Sequence, residues 1–189
     1  MKVEEAVKVL LAHVGEDPNR PGVLDTPARV AKSLQELCKG YQADPGQILS
    51  RQFDMDDSEG ASCYQGIVIL RDIPFNSLCE HHMLPFTGTA SVAYIPPKSG
   101  KVVGISKLAR LVDCFSQRLQ CQERLTSQVA DALVEHLEAQ GVLVVVQATH
   151  QCMSLRGVSK TGSVMTTSEV RGKFQDQHEA RQEALALLR

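Results

Sequence analysis

The run Cys79-Glu80-His81-His82, answered far downstream by His150-Gln151-Cys152, constrains this chain more than any other feature. Two thiols and an imidazole form a soft-to-borderline ligand set that suits zinc, but only a fold that joins the two segments can use it. Cys79 and His82 are three residues apart, so one turn can aim both at one point. The segment Leu143-Val144-Val145-Val146-Gln147-Ala148 reads as a buried strand leading into His150. On an extended chain His150 and Cys152 would then share a face. Three protein ligands leave a fourth position open, as in catalytic rather than structural zinc sites. His81 and His150 flank the ligands without an obvious metal duty and are candidates for proton transfer. A lone cysteine is usually a small buried hydrophobe, but core packing does not call for two adjacent histidines on a polar stretch.

The chain has 189 residues, enough for one domain with a sizeable core, or for a core and a small helical lobe. Its formal net charge of -2 supplies no bulk electrostatic reason to bind nucleic acid or a membrane. The lack of tryptophan argues against a stacking platform for single strands. Met1 is followed by Lys2-Val3-Glu4-Glu5, which is not a signal peptide, and no apolar run approaches the length of a bilayer span. A cytoplasmic protein is expected, in which the six cysteines are ligands or buried thiols rather than disulfides. Cys114 and Cys121, two helical turns apart, read as packing residues, and Cys38 and Cys63 carry no partner signal.

Val3, Ala6, Val7, Leu10, Leu11 and Val14 recur at helical spacing, predicting an amphipathic helix stopped at Gly15. Asp25-Thr26-Pro27 starts a second helix, with Val30, Leu34 and Leu37 on its apolar face and Gly40 at its end. Residues 42–61 read as a polar, irregular connection, with Asp54, Asp56, Asp57 and Glu59 as a solvated acidic run. Strands are predicted at 66–73, 89–95 and 101–105, helices at 106–120 and 123–140, the second closed by Gly141. A strand at Leu143, another near 164–168 and a short helix within 177–189 complete the chain. Strands, then two helices, then strands suit an α+β domain with two helices packed on one face of an antiparallel sheet. The expected division is an N-terminal helical segment over 1–60 and a catalytic domain over 61–189.

These residues carry a resemblance. The chain is similar to GTP cyclohydrolase I in Arg20-Pro21-Gly22 with Thr26-Pro27 and Arg29-Val30, and in Cys79 through Phe86. It is similar again in Gly104 through Arg110, in Gln122-Glu123-Arg124-Leu125-Thr126, and in His150-Gln151-Cys152 with Arg156-Gly157. Each stretch alone is weak; in this order they cover nearly the whole chain. The resemblance implies the tunnel fold and hydrolysis of GTP to 7,8-dihydroneopterin triphosphate and formate. It also implies a homodecamer of two pentamers, with sites shared between subunits. Cys79, His82 and Cys152 match zinc ligands, and His81 and His150 match catalytic histidines. Glu123 matches the carboxylate that holds guanine. Ser106, Lys107, Arg110 and Arg156 match residues around the ribose and triphosphate, and Gln122 matches a ribose-region contact. The long N-terminal extension of animal members has no counterpart, so control through one is not expected.

Without the resemblance these second-tier residues read blandly. Lys107 and Arg110 would be a solvated helix face, Glu123 a first-turn helix acid and Arg156 a loop residue. Two other classes compete for these residues. Zinc-dependent nucleobase deamination requires a Cys-x-x-Cys that this sequence lacks. A closed structural zinc site would need a fourth ligand, for which His81 is available, and spacing alone leaves that open.

Overall fold

The computed structural model describes residues 2–54 and 64–188, so Asp56, Asp57, Glu59 and Cys63 lie outside the described residues. The chain forms two compact units, one up to Lys39 and the other from Gly40.

The first unit contains α1 (Val3–His13) and α2 (Thr26–Leu37). Glu5 folds back to accept from the Lys2 backbone N–H at 3.0 Å, and Gly15 takes the left-handed conformation (φ 88°) just past the end of α1. Half of the expected apolar face is exposed. Val7 is buried, but Val3, Leu10 and Val14 are 55, 61 and 74% exposed. A pair of short helices cannot enclose both sides of an apolar stripe.

The second unit runs α3 (Pro45–Leu49), β1 (Gln52–Phe53), β2 (Val68–Cys79), β3 (Pro85–Ile95), β4 (Val102–Val103) and α4 (Ile105–Ser116). It continues with β5 (Leu119–Gln120), α5 (Gln122–Leu137), β6 (Gly141–His150), α6 (Gln151–Ser154), β7 (Met165–Gly172), α7 (Lys173–Asp176) and α8 (His178–Leu187). The main sheet has the order β5-β2-β3-β6-β7. Its long neighbours are antiparallel, and the short β5 lies parallel to the end of β2. β1 and β4 pair separately.

Helices α4 and α5 cover one face of the sheet. Leu108, Leu111 and Val112 of α4 and Leu125, Val129 and Leu133 of α5 join one core with Ile73 and Phe75 of β2 and Val142, Val144 and Val146 of β6. On the opposite face a smaller cluster joins Leu143 to Phe174 and Ala184. That second cover stops short, so Gln147 and Thr149 toward the end of β6 are exposed while Val146 and Ala148 stay buried. The α+β expectation of an antiparallel sheet with two helices on one face is met. Among the described residues no helix is long and apolar enough to cross a membrane.

Several boundaries differ from the sequence reading. Residues expected as irregular contain α3, whose N-cap Asp44 accepts from the Gly46 N–H at 2.8 Å ahead of a first-turn proline, and whose Leu49 is fully buried. The α5 helix ends earlier, with Glu138 in the left-handed conformation (φ 54°), and Gly141 starts β6 instead of closing the helix. The predicted strand at 101–105 is only the two-residue β4. Cys114 is buried as predicted, but Cys121 is the residue before α5 and is half-buried, because the chain breaks between the helices to form β5.

Candidate active site

The β2–β3 hairpin carries the first metal-ligand segment. Cys79 is the last residue of β2, and the turn after it closes with Met83 N–H donating to Cys79 O at 2.8 Å and Cys79 N–H to Leu84 O at 2.8 Å. Met83 takes a left-handed conformation (φ 56°) to complete the turn. β5 braces its base: Cys79 pairs with Gln120, and the Glu80 N–H donates to Gln120 O at 2.9 Å. Arg124 of α5 grips Glu80 with both guanidinium nitrogens, Nη2 to Oε1 at 2.9 Å. That hydrogen bond holds the Glu80 carboxyl below the usual carboxylate range.

The second segment arrives on β6. His150 ends the strand, and Cys152 lies within the single turn of α6. The extended geometry expected for His150 and Cys152 is therefore not what presents them; the chain turns helical at Gln151. Even so, the donor atoms of Cys79, His82 and Cys152 all lie within 4.8 Å of one another. Cys79 Sγ is 4.0 Å from His82 Nδ1. Tetrahedral zinc, with bonds of about 2.0–2.3 Å, needs its ligand atoms roughly 3.5–4 Å apart, so this group can hold such an ion after small side-chain adjustments. Burial, then the neighbouring Cys79 thiol, pushes the Cys152 thiol up; a bound cation reverses that balance and favours thiolates. His81 Nδ1 is 3.7 Å from Cys79 Sγ, yet His81 is not part of the three-residue group, and its side chain is 68% exposed.

The surrounding residues are placed unequally. Arg156 Nη1 lies 3.0 Å from His82 Nε2, which brings it directly onto the Cys79, His82 and Cys152 group. His150 Nε2 is 2.8 Å from Gln122 Oε1, and its ring is stacked on Phe86. Burial lowers the His150 pKa, while the nearby Glu123 carboxylate works in the opposite direction. Glu123 is exposed in the first turn of α5. Ser106 and Arg110 are exposed on α4, with Lys107 partly covered. Among the described residues no hydrogen bond or ion pair links these three to the metal-ligand group.

Gln122 is the largest departure. A ribose contact was implied, but the residue is 1% exposed and both ends of its carboxamide are bonded within the chain. Sequence reasoning also gave no role to Phe86, or to the Glu80–Arg124 pair, which is 44 residues apart in sequence. Phe86 and His150 are direct partners in the β3–β6 register, a relation that only the strand pairing discloses.

Geometry therefore shows three donors that could hold a metal ion, a half-buried histidine two residues from one of them, a second exposed histidine, and an acid at a helix start. Comparison with known proteins agrees over the whole chain. The sequence profile of the GTP cyclohydrolase I family matches residues 3–189. The chain is 53% identical to GTP cyclohydrolase 1 of Corynebacterium glutamicum, over 97% of this chain and 90% of that protein. It is 51% identical to GTP cyclohydrolase 1 of Mycobacterium ulcerans, over 99% of this chain and 89% of that protein. For GTP cyclohydrolase 1 of Mycobacterium leprae the identity is 48%, with 99% and 88% covered.

Proposed function

This chain belongs to the GTP cyclohydrolase I family, and from that premise we propose how its own residues convert GTP to dihydroneopterin triphosphate. Cys79, His82 and Cys152 hold a zinc ion, leaving one position for water or substrate. The observation that carries this reading is the convergence of those three donors, from β2, its turn and α6, beside His150. When bound, zinc supplies Lewis acidity that makes water a competent nucleophile near neutral pH.

The protein's side chains do the rest. His150 gives a proton to guanine N7, which makes C8 electrophilic enough to be attacked. Opening of the five-membered ring leaves a formamide, and its hydrolysis releases formate. His81, exposed at the mouth of the turn, serves the later opening and rearrangement of the ribose, which requires its own acid–base group. Glu123 accepts from guanine N1–H and from the 2-amine, a charge-assisted pair that adenine cannot match. Ser106, Lys107, Arg110 and Arg156 receive the ribose and triphosphate, with Arg156 already at the metal group.

The substrate-binding face is shared between subunits in a homodecamer of two pentamers. The exposed placement of Ser106 and Arg110 and the exposed half of the apolar face of α1 support this reading. The compartment is cytoplasmic, in keeping with the five described cysteines all being free thiols. Incubating the purified zinc-loaded protein with GTP tests the whole scheme: formate and a pterin that fluoresces after oxidation are expected together. Hydrolysis of the phosphates with the purine intact would overturn it.

A further inference from the structure

Gln122 opens α5 with its side chain turned into the protein. Its Nε2 is 3.0 Å from the carbonyl oxygens of both Val146 and Met165 and 3.2 Å from Thr167 Oγ1. Its Oε1 is 2.8 Å from His150 Nε2. Backbone carbonyls only accept, so the amide nitrogen has to face them. A half-turn of the amide would set its oxygen against two carbonyl oxygens in a buried site. The hydroxyls agree with this orientation. Thr126 Oγ1 donates to Gln122 O at 2.7 Å, so in the 2.6 Å contact between Thr126 and Thr167 the donor is Thr167. Thr167 Oγ1 then keeps lone pairs free for the Gln122 amide.

With the amide fixed, Gln122 Oε1 is an acceptor and His150 Nε2 must carry a proton. The Phe86 ring, centroid 4.6 Å away and 4° from parallel, lies flat on the imidazole and holds its plane. Among the described residues no hydrogen bond reaches His150 Nδ1.

We infer that Gln122 is a positioning residue that holds His150 in the Nε2-protonated tautomer, making Nδ1 the nitrogen that exchanges a proton with the substrate. The inference rests on the proposed role of His150 at guanine N7. In that step the imidazolium releases its Nδ1 proton to N7, keeps its Nε2 proton on Gln122, and returns to the neutral ring. Gln122 thus acts through His150 and does not contact ribose. The two ring nitrogens of a histidine are distinct, and the bond made by one decides what the other can do.

The test is nitrogen-15 NMR of histidine-labelled, zinc-loaded protein without GTP, with His150 identified by its absence in His150→Ala. The neutral ring should show a protonated, pyrrole-like Nε2 and a bare, pyridine-like Nδ1. In Gln122→Met, which keeps length but cannot accept from His150, the two tautomers should mix while zinc content stays unchanged. Its kcat should fall roughly ten- to hundredfold, as for a lost hydrogen bond to a charged group, with KM for GTP nearly unchanged. An Nδ1-protonated ring in the parent protein overturns the inference. So does a Gln122→Met variant whose main defect is a raised KM, which would restore the ribose contact. Should that variant not fold, the parent spectrum decides alone. Formate release from GTP is measured separately, so a failure of the proposed reaction is distinguishable from a failure of the tautomer.

Discussion

Phe86 and His150 face each other across the β3–β6 ladder with their ring planes 4° apart and centroids 4.6 Å apart. Phe86 is fully buried and meets Phe75 edge-on at 5.9 Å, so it is itself held firmly. One face of the imidazole is thereby closed to solvent, and motion of the ring toward the core is blocked. Phe86→Leu keeps an apolar side chain but removes the flat surface. Stability should fall by about 1–2 kcal/mol from the smaller side chain and the lost aromatic contacts. Turnover should drop about tenfold, of the order expected when an acid–base group is loosened, with zinc content retained. Denaturant unfolding, metal analysis and a steady-state assay on one preparation check this. Unchanged turnover would confine the stack to a packing role.

Metal removal separates the site from the fold. The large core between the sheet and helices α4 and α5 contains Cys79 at its edge but does not depend on a closed metal knot. Chelation should abolish formate release while leaving the far-ultraviolet circular dichroism almost unchanged, and added zinc should restore activity. Full turnover by verified metal-free protein would remove zinc from the mechanism.

The two histidines should fail at different stages. His150→Ala should keep zinc and lose the earliest chemistry, with GTP accumulating unreacted. His81→Ala should permit ring opening and stall afterwards, with a formylated intermediate building up. Each loss should be on the order of a hundredfold or more. Chromatography of quenched reactions distinguishes the two, and loss of zinc from either variant would reassign that histidine as a ligand.

Base selection should rest on Glu123. Glu123→Gln replaces one acceptor by a donor that meets a guanine donor. Losing a charge-assisted bond costs about 1.5–3 kcal/mol, so kcat/KM for GTP should fall tenfold or more with zinc content unaltered. Inosine triphosphate, which lacks the 2-amine, should be a poorer substrate of the parent protein. Equal kcat/KM for the two nucleotides would show that Glu123 does not read the base.

Subunit sharing has a direct test. Arg110→Glu should raise KM for GTP far more than it affects folding, because Arg110 is exposed on α4. Mixing Arg110→Glu chains with inactive His150→Ala chains, under verified subunit exchange and at GTP well below the raised KM, should give more activity than either variant alone. No recovery would place both residues in one chain's contribution to each pocket.

Much of this was legible in the residues themselves. Helical spacing located α1, α2, α4 and α5 to within a few residues. The Cys-x-x-His run and the distant Cys152 pointed to three side chains that the fold brings within 4.8 Å of one another, a group that could hold a metal, although Cys152 is not presented on an extended strand. An extended strand was expected through it, whereas a helical turn delivers it. The donor set survives that error because chemistry depends on which atoms converge, and several backbone routes lead to one point. Boundaries fared worse where tertiary contact overrode local preference. Gly141, a plausible helix stop, begins β6, where an added Cβ would meet Ile95 at 3.2 Å and Lys173 at 3.3 Å.

The sequence by itself determined which side chains could ligate a metal, the apolar faces of α4 and α5, and the order of the main helices and strands, because side-chain chemistry and periodicity are local properties. Tertiary structure alone decided what Gln122, Phe86 and Arg124 do. Gln122 reads as a polar residue at a helix start, yet the fold turns it inward onto carbonyls of β6 and β7 and onto His150. Phe86 becomes a wall for His150 only through the strand register, and Arg124 finds Glu80 only because β5 brings α5 beside the turn after β2. A hydrogen bond or a ring stack needs its partner within a few ångströms, and residues far apart in sequence acquire that proximity only when the chain folds.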